Sequence, residues 1–67
     1  MRISYNKLWK MLIDKNTKKR DLREKAGISS ASLAKLGKGD NIATDVLLRI
    51  CKVMDCRIED ILETVRD

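Results

Sequence analysis

The chain has no histidine, no proline and no phenylalanine, and only one tryptophan, one tyrosine and two cysteines. Each shortage excludes something. A zinc site needs about four ligands in recognisable clusters, and Cys51 and Cys56 alone do not supply them, so neither a metal nor another cofactor is expected. The same shortage leaves no acid, base and nucleophile to assemble, and 67 residues leave little room for a substrate pocket, so neither an enzyme nor a small-molecule binder is expected. The scarcity of aromatic residues argues against RNA recognition by base stacking. Without proline, helices run unbroken, and Leu, Ile, Val and Met must build the core. No segment approaches the roughly 20 apolar residues needed to span a bilayer, and nothing reads as a signal peptide, so a cytoplasmic protein away from membranes is expected. The two cysteines fall on the apolar face of a helix (Cys51) and just beyond its end (Cys56), which suits reduced, partly buried thiols.

What is present is positive charge, unevenly placed. Residues 1–39 carry eleven Lys or Arg against Asp14, Asp21 and Glu24, whereas residues 40–67 carry four against seven acids. The net charge of +5 is thus a basic half of +8 and an acidic half of −3. A polyanion is the natural partner for the basic half.

The stretch Leu22 to Leu36, LREKAGISSASLAKL, organises the reading. Leu22, Ala26, Ile28, Leu33 and Leu36 fall at spacings that give two short amphipathic helices broken at Gly27. Gly27 can take the left-handed conformation that ends the first, and Ser29 is a good N-cap for the second. A break this short forces a steep crossing, which is the helix-turn-helix arrangement whose second helix enters the DNA major groove. The expected helix-turn-helix spans about residues 18–38 of a single domain covering 1–67.

Around it, the periodicity predicts three more helices, the first, fourth and fifth of the chain. The first runs from about Tyr5 to Lys15, with Ser4 as its N-cap, Ile3 and Leu8 at hydrophobic-staple spacing, and an apolar stripe of Leu8, Trp9, Leu12 and Ile13. The second and third, in the motif itself, run from about Lys18 to Ala26 and from Ser30 to Leu36 or Lys38. Gly39-Asp40-Asn41 is strong turn chemistry. A fourth helix starts near Thr44 and continues to about Met54, with Val46, Leu47, Ile50, Cys51 and Met54 as its apolar stripe. A fifth is expected over Ile58 to Val65, with Ile58, Ile61, Leu62 and Val65 on one face. With no strand pattern, the fold class is all-α.

These residues resemble a known family. Leu-x3-Ala-Gly-Ile-Ser-x3-Leu-x2-Leu-x2-Gly, at Leu22 to Gly39, is similar to the helix-turn-helix of the Cro and phage-repressor (XRE-like) regulators, and Leu47 to Leu62 is similar to their fourth and fifth helices. The resemblance covers residues 5–65 and implies a five-helix, lambda-repressor-like domain that binds double-stranded DNA and regulates transcription, often as a homodimer on a palindromic operator. It places Ser30, Ala31 and Lys35 at the base-facing positions, with Ala34 close by. Lys35 can donate to guanine O6 and N7, and Ala31 can touch a thymine methyl. Phosphate contacts are implied for Lys19, for Ser29 and its neighbouring amides, and for Lys38 and Asn41. The chain departs from the family pattern at Lys19, where Gln is common, at Arg23, where Ala is usual, and at Gly37, where Glu is frequent.

With one side chain capable of a bidentate base contact, discrimination is expected to come from pairing two copies. Ile58, Leu62 and Val65 offer either a dimer surface or the completion of a small core. The rival expectation is a helical protein-interaction module, antitoxin-like or adaptor-like, docking through its acidic C-terminal segment.

Overall fold

Gly27 and Gly39 both adopt left-handed backbone conformations, with φ of 66° and 74°, and each closes a helix. In the computed structural model, which describes residues 1–66, those two stops frame the second and third of four helices. The order is β1 (Arg2–Ser4), α1 (Asn6–Asp14), α2 (Lys19–Ala26), α3 (Ser30–Lys38), α4 (Thr44–Met54), a short 3-10 turn at Ile58–Asp60, and β2 (Glu63–Val65).

The core collects one apolar stripe from every helix. Leu8 and Leu12 of α1, Leu22 and Ala26 of α2, Leu36 of α3, and Leu47, Ile50, Cys51 and Met54 of α4 are buried together with Tyr5, Ile28 and Ile61. Five of the largest of these, Leu8, Leu22, Leu36, Ile50 and Ile61, are sealed from solvent. Burying an aliphatic side chain of this size stabilises the fold by about 1.5–3 kcal/mol. This distribution therefore makes the helices interdependent: none holds its stripe dry without the others.

The structure is mostly helical, but it is neither all-α nor five-helical. The expected fifth helix is replaced by the 3-10 turn and β2, which pairs antiparallel with β1 in the register Arg2 to Val65, Ile3 to Thr64 and Ser4 to Glu63. The spacing of Ile58, Ile61, Leu62 and Val65 permits a helix, but a helix this short takes its stability from packing, and here strand pairing with β1 supplies the competing contacts. The Asp60 carboxylate accepts the Arg57 N–H at 3.0 Å and starts one turn only. Ile61 then drops into the core, and the β-branched Thr64 and Val65 extend to pair with β1. Leu62 packs partly against the core and Val65 lies in β2, so Ile58 is the only exposed member of that apolar set.

Three smaller expectations also change. The cap of α1 is Tyr5, and Ser4, itself buried in β1, accepts the Asn6 N–H from one residue further out at 3.3 Å. Ile13 is exposed. Leu33 is half-buried and lies outside the core cluster, so Leu36 alone anchors α3 deeply.

Two contacts tie the two ends of α1 to the rest of the helical body. The buried Tyr5 hydroxyl donates to the Asp40 carbonyl at 3.0 Å, tying the start of α1 to the turn after α3. Burial, and secondarily the Asp40 charge, push the Tyr5 phenol above its ordinary value of 10.0. Lys15 Nζ donates to the Met54 carbonyl at 3.0 Å, a cation placed at the negative end of α4.

Candidate nucleic-acid interface

The turn between α2 and α3 is built from backbone geometry. Gly27 N–H donates to the Glu24 carbonyl at 3.3 Å and Ile28 N–H to the Arg23 carbonyl at 3.1 Å, the paired bonds of a Schellman stop. Ile28 plugs the core between the two helices. The next residue, Ser29, is the N-cap of α3: its Oγ accepts the Ser32 N–H at 3.0 Å. Stop, plug and cap occupy three consecutive residues, which fixes the angle between α2 and α3.

With Leu36 turned inward, the opposite side of α3 faces solvent. Ser30, Ala31, Ala34 and Lys35 are all exposed, at positions that lie side by side on one helical face. The structure thus brings the three residues expected to read bases onto a single surface. It is a surface of small side chains with one long cation. Gly37 continues the helix past that surface with nothing within 4 Å of where its side chain would begin.

The expected phosphate contacts sit at the margins. Lys19 is the first residue of α2 and is exposed. The N-cap before it, Lys18, supplies no side-chain cap, so the first amides of α2 are left without one. Lys38 ends α3, and Asn41 follows in the exposed turn before α4. Ser29 is exposed too, but its hydroxyl donates to Ser32 Oγ at 3.1 Å. A phosphate contact from Ser29 therefore competes with that bond, and Ser32 carries the freer hydroxyl proton.

Two contributors escape a sequence reading. Arg49 of α4 donates to the Gly27 carbonyl at 3.3 Å and sits 4.0 Å from Asp45, so α4 braces the turn from behind. The four-residue spacing of Asp45 and Arg49 signalled the pair; nothing local signalled the bond to Gly27. Trp9 of α1 lies under Lys19, with Nζ 4.4 Å from the ring centroid. The basic half of the chain is also not uniformly available. Lys7 and Lys15 are spent on backbone carbonyls, at Glu59 and Met54.

Neither cysteine takes part. Both are free, and Cys51 is buried. Burial first, and then the neighbouring Cys51, raise the Cys56 thiol from 9.0 to about 11, so it stays protonated at neutral pH. Among the described residues no group of three or more His, Cys, Asp or Glu side chains could hold a metal ion, and no helix is long and apolar enough to cross a membrane.

A capped α3 with an exposed small-residue face, set at a fixed angle on an uncapped cationic α2, is the geometry of a helix-turn-helix. Residues 7–67 match the Cro/C1-type HTH DNA-binding domain. The chain belongs to that family. Among solved structures, the Cro/C1-type chain is similar to the crystal structure of transcriptional regulator VanUg, Form II. The two share 50% sequence identity and a TM-score of 0.95 over 98% of this chain and 88% of the other. None of the curated protein sequences compared with the chain matches it.

Proposed function

We propose that the chain is a sequence-specific transcriptional regulator that inserts α3 into the major groove of double-stranded DNA. The observation that carries this reading is the exposed face of Ser30, Ala31, Ala34 and Lys35, held at a fixed angle to α2 by the Gly27–Ile28–Ser29 turn. In the reading, Lys35 donates to a guanine, Ala31 packs on a thymine methyl, and Ser30 contributes a weakly discriminating hydrogen bond. Lys19, Lys38 and Asn41 hold the phosphates on either side, and Ser29 joins them when it releases Ser32. Residues 1–67 act as one domain, in the cytoplasm, without chemistry of their own.

One bidentate contact discriminates by about 1–3 kcal/mol, too little to select an operator among genomic competitors. Two copies on a palindrome, with half-sites about one helical turn apart, double the readout. The similarity to a transcriptional regulator over nearly the whole chain supports the regulatory role.

Selection of bound sequences from a random duplex pool tests the reading. The expected product is a short symmetric site, bound by two protomers in analytical ultracentrifugation, with affinity falling steeply as salt rises. A single protomer per site overturns the dimer. Failure to enrich any sequence, with partner capture indifferent to salt, overturns DNA reading in favour of a protein-interaction module.

A further inference from the structure

The first turn of α2 is electrostatically unfavourable as it stands. Lys18, Lys19 and Arg20 place three cations at the end of the helix where its dipole is positive, with Asp21 alone to offset them and no side-chain cap. Of the three, Lys19 has a specific partner. Its ammonium lies 4.4 Å from the centroid of the Trp9 ring, inside the roughly 6 Å range of cation–π attraction. Trp9 is half-buried and packs against the core from α1, so the ring is a fixed platform rather than a mobile side chain. It also walls a cleft of about 160 Å³ together with Asn6 and Lys38.

A lysine ammonium carries three N–H donors. Against the ring face it leaves its outer side open to a phosphate oxygen. A lysine already confined in this way loses less side-chain freedom on contact than one that swings free. We propose that Trp9 is a positioning residue for DNA-backbone binding: it braces the Lys19 ammonium at the start of α2 where a phosphate takes it up. The proposal rests on the reading of α2 as a phosphate-contacting helix. It adds a residue of α1 to an interface otherwise assigned to α2, α3 and the turn that follows.

A double-mutant cycle on DNA affinity tests it, using a duplex with the selected site and a random-sequence duplex. Trp9→Leu is expected to weaken binding to both about two- to fivefold, the side-chain freedom that an unbraced Lys19 must then give up on contact. In a Lys19→Ala background the same change is expected to do nothing further, and Trp9→Phe is expected to restore most of the loss. Losses that multiply in the double variant, or an unchanged affinity in folded Trp9→Leu, overturn the proposal.

Trp9 is the only tryptophan, so its emission gives a second readout independent of how Trp9→Leu folds. It is expected to change on DNA addition to the wild-type chain and to stay constant in Lys19→Ala; a change of equal size in Lys19→Ala overturns the brace. If the wild-type chain binds neither duplex, the DNA reading and the brace fall together. If it binds and the cycle multiplies, the brace alone falls.

Discussion

Arg49 Nη1 donates to the carbonyl of Gly27 at 3.3 Å, so the helix behind the motif holds the turn that sets its angle. The bond ties α4, the best-buried helix, to the one residue between α2 and α3 whose backbone is left-handed. Arg49→Ala is expected to cost at most about 0.5–1 kcal/mol in urea denaturation, because the bond to Gly27 is exposed and the exposed pair with Asp45 adds little. Amide exchange at Gly27 and Ile28 is expected to rise more than exchange in α1. Equal changes in both places mean that Arg49 braces the whole fold and not the turn.

Gly27→Ala isolates the backbone term. A side chain there meets nothing within 4 Å, so the loss comes from holding φ at 66° with a Cβ present, about 1–2 kcal/mol. A loss near zero in chemical denaturation means that the stop relaxes out of the left-handed region. The interhelical angle, and with it DNA affinity, then shifts as well.

The thiol of Cys56 gives the fold an alkaline limit. Its pKa rises from 9.0 to about 11 on folding, because burial and Cys51 disfavour the thiolate. The folded state then binds the proton more tightly than the unfolded one. The stability this confers is complete below pH 9 and lost as pH rises from about 9 through about 11. Melting temperature is expected to be flat with respect to this group up to pH 9 and to fall beyond it. Cys56→Ser should remove the early part of that fall, with the raised Tyr5 phenol contributing only above about 10. Alkylation of the native protein at neutral pH should be slow relative to the unfolded chain. Fast labelling at neutral pH, or an alkaline fall unchanged in Cys56→Ser, contradicts this.

The two middle helices and α4 were legible because their ends are written in local chemistry. Gly27 and Gly39 stop helices, Ser29 starts one, and the stripe from Val46 to Met54 has one period throughout. The final segment was not legible for the opposite reason. Ile58, Ile61, Leu62 and Val65 satisfy a helical period, and the partner that makes them a turn and a strand, Arg2–Ser4, lies at the other end of the chain. Ile13 and Leu33 sit on apolar spacings, yet their helices are too short and too sparsely flanked for those positions to be covered. The candidate site shows the same division. That Ser30, Ala31 and Lys35 share a face follows from helical spacing alone. Arg49 on Gly27, Trp9 under Lys19 and the bond between Ser29 and Ser32 depend on where side chains from different turns and helices meet.

The central claim is that α3 reads bases while the start of α2 holds phosphate, and one affinity matrix tests it most directly. Wild type, Lys35→Ala and Lys19→Ala are titrated against the selected site and every single-base variant of its half-site, at several salt concentrations. Lys35→Ala is expected to flatten the preference at one base position, losing about 1–3 kcal/mol of discrimination there and little elsewhere. Lys19→Ala is expected to weaken every duplex alike and to lower the salt slope by about 1. Equal, sequence-independent losses from both variants would contradict the account, because α3 would then be one more cationic surface and not the helix that reads.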